Sequence, residues 1–184
     1  MRRSKLLSAE ELFSYAVKKL ADRAASMGEI RTSLDARASE PSDVESVLAR
    51  LKEYGYLNDA RFAESFAAAR LDNEGLGKSR VLRDLRRRRI APDLAQRTVS
   101  RIYADTDELA LIDQYIRRKY RPNDRGELFA NEKDLAAAYR RLLRAGFTPG
   151  NSIRALRKFG AHPDLLNELE SASLESPVES DEVQ

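Results

Sequence analysis

The amino-acid sequence predicts an all-α protein made of tandem three-helix repeats in an elongated, curved array. Three observations predict it. Apolar residues recur at spacings of three and four along most of the chain, as on a helix with one buried face. One pattern of side chains around a proline occurs three times. No stretch alternates apolar and polar residues between turn signals, so no β-sheet is expected.

The repeated pattern is a proline with apolar or small residues three, seven and ten positions after it. It begins at Pro41, Pro92 and Pro149. Proline suits the first turn of a helix, because its fixed φ is helical and no N–H is needed there. Two more helical segments precede each proline, so each repeat has three helices. A repeat of this size buries little apolar surface alone, and we therefore expect neighbouring repeats to stack.

These spacings divide the chain into three repeats and a tail. The tail is rich in acidic residues and is predicted to be disordered. The repeats are predicted at residues 1–57, 58–106 and 107–160, and the tail at 161–184. The helices before each proline are expected at about 9–24 and 28–38, 59–72 and 78–89, and 107–120 and 132–145.

The first repeat carries clear helix signals. Ser8 and Glu11 are spaced like a capping box, in which each side chain satisfies a free backbone N–H. One apolar stripe follows it, and another lies between Pro41 and Gly55, whose freedom at positive φ suits a helix end. The two stripes are Leu12, Phe13, Ala16, Val17 and Leu20, and Val44, Val47, Leu48 and Leu51.

In the second repeat, Asn58 and Asp59 are expected to cap a helix that carries Phe62. The sequence Gly-Leu-Gly-Lys-Ser at residues 75–79 ends like a phosphate-binding loop. That loop requires a glycine where Asp72 stands, and no strand precedes it, so we interpret the segment as a turn. In the third repeat, residues 121–131 are expected to form a longer loop.

The net charge of +3 conceals an uneven distribution. Nine Lys or Arg residues lie between Lys78 and Arg101, opposed by two acidic residues, whereas the tail has seven acidic residues and no Lys or Arg. A basic body of this kind attracts nucleic acid or acidic protein surfaces. The tail could compete for the same basic surface.

Helical periodicity places Arg80, Arg83 and Arg87 together, opposite Leu82 and Leu85. Arg86 and Arg88 are expected to flank them. Guanidinium groups pair well with carboxylates and phosphates, so we predict a binding surface for an acidic protein or a DNA backbone. The alternative interpretation is a solvated helix face. The candidate contact residues are Arg80, Arg83, Arg86, Arg87, Arg141, Arg144 and Arg157.

Few residues suit catalysis. Without cysteine, disulfides and thiolate metal sites are impossible, and the single histidine is His162. We therefore predict no catalytic residue, no metal, no cofactor and no enzymatic activity. No signal peptide or membrane-spanning segment is evident, and a monomer in the cytoplasm is expected.

One segment carries a family resemblance. The helix ends in Gly55-Tyr56-Leu57, Asn58-Asp59 follows, and then Phe62-Ala63. This order resembles the hallmark of the RecX family. The elements Arg23-Ala24-Ala25-Ser26 and Arg144-Ala145-Gly146-Phe147 are also similar to family motifs, and the resemblance spans about residues 9–160.

The resemblance implies a string of three-helix repeats that binds in the groove of the RecA–DNA filament. There it would suppress strand exchange, ATP hydrolysis and co-protease action. The hallmark residues would be structural: Gly55 a helix stop, Asn58 or Asp59 a cap, and Tyr56 and Phe62 packing between repeats. Arg89 departs from the pattern, because the family usually has glycine there.

Two other functions remain alternatives. A helix-turn-helix transcriptional regulator is consistent with three-helix repeats and a basic helix. Such a regulator usually has one DNA-reading module and a dimerisation element, whereas this sequence predicts three similar modules. An enzyme acting on nucleic acid is disfavoured, because no acid/base or metal constellation is evident.

Overall fold

The computed structural model describes residues 6–122, 128–159 and 163–175, and these form ten α-helices without a named strand. The all-α prediction is confirmed. An isolated bridge joins Leu7 to Ala38. The helices are α1 Ala9–Asp22, α2 Met27–Asp35, α3 Pro41–Glu53, α4 Asp59–Asp72, α5 Lys78–Arg87, α6 Pro92–Ile102, α7 Glu108–Lys119, α8 Glu132–Arg144, α9 Pro149–Arg157 and α10 Pro163–Glu175.

The chain divides into two compact units. The first contains Met1–Ala69 and Leu82–Ala104, and the second contains Arg70–Val81 and Asp105–Gln184. The division runs through α4 and α5, both of which belong to the predicted second repeat. The predicted repeat boundaries therefore stay predictions, because a compact unit and a repeat need not end at the same residue.

In the first unit, α1 packs against α3 and α2. The apolar stripes predicted for this repeat supply much of the core, since Leu12, Val47 and Leu51 are fully buried. The carboxylate of Glu11 accepts a hydrogen bond from the Ser8 N–H at 3.0 Å. The second helix also begins with a capping box, formed by Ser26 and Glu29.

Three helices, α3, α5 and α8, end in a Schellman motif. The residue after each C-cap has positive φ: +74° at Gly55, +57° at Arg89 and +91° at Gly146. The next amide donates to the carbonyl five residues earlier, at 2.9, 3.1 and 3.2 Å respectively. These bonds satisfy carbonyls that would otherwise lack partners at the helix end.

Arg89 therefore forms the turn that glycine would form more easily. Its amide donates to the carbonyl of Arg86 at 2.8 Å, as the motif requires. The departure from the family pattern changes the residue and leaves the turn in place. The left-handed backbone costs a non-glycine residue about 1–2 kcal/mol.

In the second unit, α7 and α8 both pack against α9. All three helices contribute fully buried residues, including Ile112, Leu135 and Leu156. The carboxylate of Glu108 at the start of α7 accepts hydrogen bonds from the amide and hydroxyl of Thr148, at 2.9 and 2.7 Å. This contact fixes the entry into α9.

The predicted disorder of the tail was wrong for residues 163–175, which form α10. Leu166 is buried and Leu165 and Leu169 are half-buried, and the helix packs against α9. These leucines recur at helical spacing, and the acidic composition around them hid this apolar stripe. Residues 160–162, with His162, and 176–184 lie outside the described residues, as do residues 123–127 of the predicted long loop.

No helix in the described ranges combines the length and the apolar character needed to cross a membrane.

Candidate binding site

The position of α5 in the second unit depends on two glycines. The N–H of Gly77 donates to the carbonyl of Ala145 at 2.9 Å. A Cβ at Gly77 would clash with the backbone of Gly146, and a Cβ at Gly146 would clash with the backbone of Arg80. The first turn of α5 and the turn after α8 thus approach each other backbone to backbone. The segment interpreted from sequence as a turn is the element that brings α5 to α8.

This approach creates a groove of about 450 Å³ in the second unit, which we call the basic groove. Among the residues that the structure describes, its polar wall contains four cationic side chains from α5, α7 and α8, and one carboxylate, that of Glu74. Glu74 pairs with Arg70. Tyr115 and Leu76 form part of the floor. The four cations are Arg80, Lys119, Arg141 and Arg144.

The arginines of the basic groove are held by the surrounding backbone and rings. The Arg80 guanidinium donates to the carbonyl of Arg144 at 3.4 Å, and Arg80 is half-buried. The Arg141 guanidinium lies 5.4 Å from the centre of the Tyr120 ring. Burial raises the pKa of the Tyr120 phenol, while the positive charges of Arg141 and Arg144 act in the opposite direction. Both guanidinium groups therefore lie near the Tyr120 ring.

The exposed face of α5 agrees with the sequence analysis at Arg83, Arg86 and Arg87, all of which are exposed. Asp84, one of the two acidic residues between Lys78 and Arg101, is buried, which the sequence analysis did not predict. Only 7% of Asp84 is accessible, and it lies on the same side of α5 as Val81. Its carboxylate is 3.9 Å from the Arg87 guanidinium. The acid therefore leaves the exposed arginine face uninterrupted.

Arg88 does not flank this face, contrary to the sequence analysis. In the first unit its guanidinium donates to the Glu29 carboxylate at 2.8 Å and to the Ala24 carbonyl at 3.2 Å. The same group lies 5.2 Å from the centre of the Phe62 ring. Arg88 is the C-cap residue that follows α5, where the chain turns, so its side chain reaches the neighbouring helices and has a structural role.

Arg157 is the last residue of α9, and its guanidinium binds two side chains of α10. It donates to the Glu170 carboxylate at 2.6 Å and to the Asn167 side chain at 2.9 Å. The structure therefore brings together three of the seven candidate arginines, Arg80, Arg141 and Arg144, and places Arg157 in a different contact. Sequence reasoning missed Lys119, because the period of a single helix does not show which helices share a groove.

The hallmark residues lie in the first unit, around an apolar groove of about 650 Å³. Gly55, Tyr56, Asn58 and Phe62 all line it. Tyr56 is 50% exposed, so the expectation that it packs between repeats was wrong. It follows the helix stop, and its ring stays at the edge of the groove. Phe62 is half-buried and stacks on Phe66, with ring centres 5.9 Å apart.

The two polar hallmark residues hold helix starts. The Asn58 side chain accepts from the Arg61 N–H at 2.9 Å and caps α4. The Asp59 carboxylate accepts from the Met27 N–H at 2.7 Å, so it satisfies the start of α2 instead. Asp59 thereby ties the second predicted repeat to the first.

In the described part of the chain, no group of three or more His, Cys, Asp and Glu residues is arranged to hold a metal ion. The fold and the basic groove define the class of protein: an all-helical protein of three-helix modules whose second unit presents clustered cations. Such a surface suits an anionic partner.

Comparison with known proteins identifies the family. A family model described as "RecX, second three-helix domain" matches residues 58–99. Relatives called regulatory protein RecX include those of Deinococcus radiodurans (34% identical over 145 residues, 78% of this chain and 65% of the relative), Amycolatopsis mediterranei (27% over 157 residues, 81% and 85%) and Treponema pallidum (31% over 112 residues, 59% and 68%). The chain belongs to the RecX family of regulatory proteins.

A solved structure shares the fold. The crystal structure of RecX from Lactobacillus salivarius superposes with a TM-score of 0.66 at 14% identity, over 82% of this chain and 96% of that one. The resemblance noted from the hallmark residues is thus confirmed at the level of family and fold. The chain spans only 65% of the length of the Deinococcus relative.

Proposed function

We propose that this protein binds the RecA filament on DNA and holds down its strand exchange, ATP hydrolysis and co-protease activity. It would act by binding alone, as a monomer in the cytoplasm, without a cofactor. Membership of the RecX family supports the proposal, since the relatives are called regulatory proteins. A ligand that binds one state of an assembly better than another shifts the assembly toward that state, so inhibition needs no chemistry.

The observation that carries the proposal is the basic groove. Its arginines come from separate helices, α5 and α8, and the fold brings them to one wall. Clustered guanidinium groups form strong, charge-assisted hydrogen bonds with carboxylates and phosphates. A recombinase filament on DNA offers both kinds of anion in a regular array. We assign Arg80, Arg141 and Arg144 to this contact, with the α5 face of Arg83, Arg86 and Arg87 as a second contact.

The test is a titration of the purified protein into RecA ATPase and strand-exchange assays on single-stranded DNA. The variant Arg141→Glu/Arg144→Glu should require at least about tenfold more protein for half-inhibition, because each reversal replaces an attraction with a repulsion. The variant Arg83→Glu/Arg86→Glu/Arg87→Glu should weaken inhibition as well.

The matched control is Lys18→Glu/Lys52→Glu, which makes the same charge change as the groove variant at two exposed lysines of α1 and α3. It should inhibit like the parent chain. Circular dichroism should show equal helicity in all four proteins. Full inhibition by the groove variant would exclude the basic groove as the contact.

The exposed arginines of α5 also favour a second candidate, a helix-turn-helix regulator of transcription. The helix is the second of its predicted three-helix module and presents three arginines to solvent. A sequence-specific footprint on duplex DNA in the absence of RecA would support this candidate. DNA binding that requires the RecA filament would instead support the first candidate, a regulator of RecA.

A further inference from the structure

The turn after α5 carries an arginine where the other two turns of its kind carry glycine. The three Schellman motifs have Gly55, Arg89 and Gly146 at the position with positive φ. Glycine adopts this backbone without strain, whereas a residue with a Cβ is disfavoured there. The chain itself therefore shows which residue suits this turn, and Arg89 is the exception.

Packing against the neighbouring helix does not favour a side chain at this turn either. A Cβ at Gly28, in the first turn of α2, would lie 2.5 Å from the Cβ of Arg89 and 2.8 Å from its carbonyl oxygen. At the comparable junction of the second unit, the facing residues Gly77 and Gly146 are both glycines. The turn after α5 is thus crowded, and Arg89 fits because residue 28 has no side chain.

Arg89 also lacks the internal contacts that explain its neighbour. The guanidinium of Arg88 pairs with the carboxylate of Glu29 at 2.8 Å. The side chain of Arg89 is exposed, and it forms no ion pair with any residue of the described ranges. Residues held in a disfavoured backbone conformation are concentrated at functional sites. A contact with a partner would account for an arginine at this turn, because neither the fold nor an internal pair does.

Arg89 extends the exposed arginine face of α5 into the turn. The exposed residues between positions 83 and 89 are Arg83, Arg86, Arg87 and Arg89. The acid of this stretch, Asp84, is buried. Protein–protein interfaces are depleted of charge at their centre and rely on aromatic and apolar anchors, whereas interfaces with DNA are strongly positive. A surface of arginines alone therefore favours phosphates over an acidic protein.

We infer that Arg89, together with Arg86, binds the phosphodiester backbone of DNA. Guanidinium groups form charge-assisted hydrogen bonds with phosphate oxygens, and such contacts position a protein on DNA without reading its sequence. The role rests on the proposed function, because the DNA concerned is that of the recombinase filament. It adds a contact residue and names the anion that the α5 face binds.

Binding to a labelled single-stranded oligonucleotide, followed by fluorescence anisotropy without RecA, tests the contact. At low salt Arg89→Gly should bind about three- to tenfold more weakly, and the slope of log affinity against log salt should fall by about 0.7. For Arg86→Ala/Arg89→Gly the slope should fall by about 1.4. Arg89→Lys should keep the parent slope, because the charge remains.

The stability of Arg89→Gly excludes misfolding as the cause of weaker binding. Glycine relieves the backbone strain, so this variant should unfold at a higher urea concentration than the parent chain. Higher stability together with weaker DNA binding is the combination expected of a residue kept for contact. A parent chain that does not bind the oligonucleotide at low salt overturns the inference, as does an Arg89→Gly variant with the parent's affinity and slope.

The matched control moves the arginine to the equivalent turn of the same unit. Arg89→Gly/Gly55→Arg keeps the net charge and the number of arginines in this conformation. Apart from its chain neighbours, no atom of the described residues lies within 4 Å of a Cβ at Gly55, so the turn after α3 has room for a side chain. The DNA affinity should stay as low as that of Arg89→Gly. Recovery of the parent affinity would show that the charge matters and its position does not, which overturns the role of Arg89.

RecA ATPase assays with the same variants separate this contact from the proposed function. If the parent chain binds DNA through Arg89 and does not inhibit RecA, the proposed function fails and the contact stands. If Arg89→Gly inhibits RecA less while its DNA binding is unchanged, Arg89 contacts an acidic group of the recombinase and the assignment to phosphate is overturned. The expected result is that Arg89→Gly loses DNA affinity and inhibition together, by at least about threefold in each.

Discussion

Arg89 occupies a backbone conformation that arginine disfavours. Its φ of +57° lies in the left-handed region, and its side chain is exposed. The surrounding Schellman motif and the contact with Gly28 hold it there, since a Cβ at Gly28 would lie 2.5 Å from that of Arg89. Arginine therefore costs stability at this position without gaining burial.

Replacing Arg89 by glycine should stabilise the protein. The left-handed backbone is free of strain for glycine, and after the greater freedom of glycine in the unfolded chain is counted, a gain of about 0.5–1 kcal/mol is expected. Urea unfolding, monitored by circular dichroism, measures this change in the free energy of unfolding. The control Arg86→Gly places glycine in the last turn of the same helix, where φ is negative, and should cost up to about 1 kcal/mol. Equal destabilisation by both variants would contradict the strain at Arg89.

At the residue scale, sequence periodicity predicted the exposure of Arg83, Arg86 and Arg87 because exposure on one helix follows from its period. Arg88 was misplaced and the burial of Asp84 was unforeseen for the same reason. Their environment is set by residues distant in sequence, such as Glu29 opposite Arg88. A long side chain at a helix end has no fixed direction that a helical wheel can give.

At the scale of elements, the same contact occurs once in each unit. In the first, the start of α2 meets the turn after α5: the hydroxyl of Ser26 donates to the carbonyl of Arg88. In the second, the start of α5 meets the turn after α8, through Gly77 and Ala145. In both cases the carbonyl belongs to the C-cap residue. Corresponding places in successive predicted repeats thus form a similar junction, as expected for stacked repeats.

The junction in the second unit should not tolerate a side chain at Gly77. The variant Gly77→Ala places a Cβ against the backbone of Gly146, so two backbone segments must separate. A loss of about 1–3 kcal/mol in unfolding free energy is expected, with weaker filament inhibition because Arg80 moves away from Arg144. Denaturant titration and the ATPase assay measure the two effects.

Gly150→Ala is the control for this junction. Gly150 is in α9, and apart from its chain neighbours and the backbone of its own helix, no atom of the described residues lies within 4 Å of a Cβ at this position. Alanine favours helix, so this variant should be neutral or more stable by up to about 1 kcal/mol. A Gly77→Ala chain as stable as Gly150→Ala would show that the close approach is not required.

The elements themselves were largely predictable. Proline-led starts occur at α3, α6 and α9, because proline acts locally. The tail helix α10 was missed, since its stability depends on packing against α9 that composition does not reveal. The basic groove was likewise only half predicted: the charges were evident, but the glycine contact that gathers them involves residues far apart in sequence.

For the whole molecule, a net charge of +3 understates the attraction that the proposed polyanionic partner would meet at the basic groove. Four cations of the described residues line the basic groove, and seven of the 30 acidic residues of the chain lie from α10 onward. Binding to the filament should therefore weaken as salt rises, because bound counterions are released on association. The slope of this dependence reports which anion is contacted.

The salt slope should distinguish phosphate from carboxylate at the groove. A logarithmic plot of affinity against salt should lose about 0.7–0.9 in slope for each groove cation that contacts a DNA phosphate. For Arg80→Ala/Arg141→Ala/Arg144→Ala, a slope reduced by about two to three therefore indicates the DNA backbone. A reduction below about one, with weaker binding, indicates acidic groups of the recombinase, because a protein carboxylate carries no condensed counterions to release. The control Lys18→Ala/Lys52→Ala/Lys133→Ala should keep the parent slope, and a groove variant that also keeps it would remove the groove from the interface.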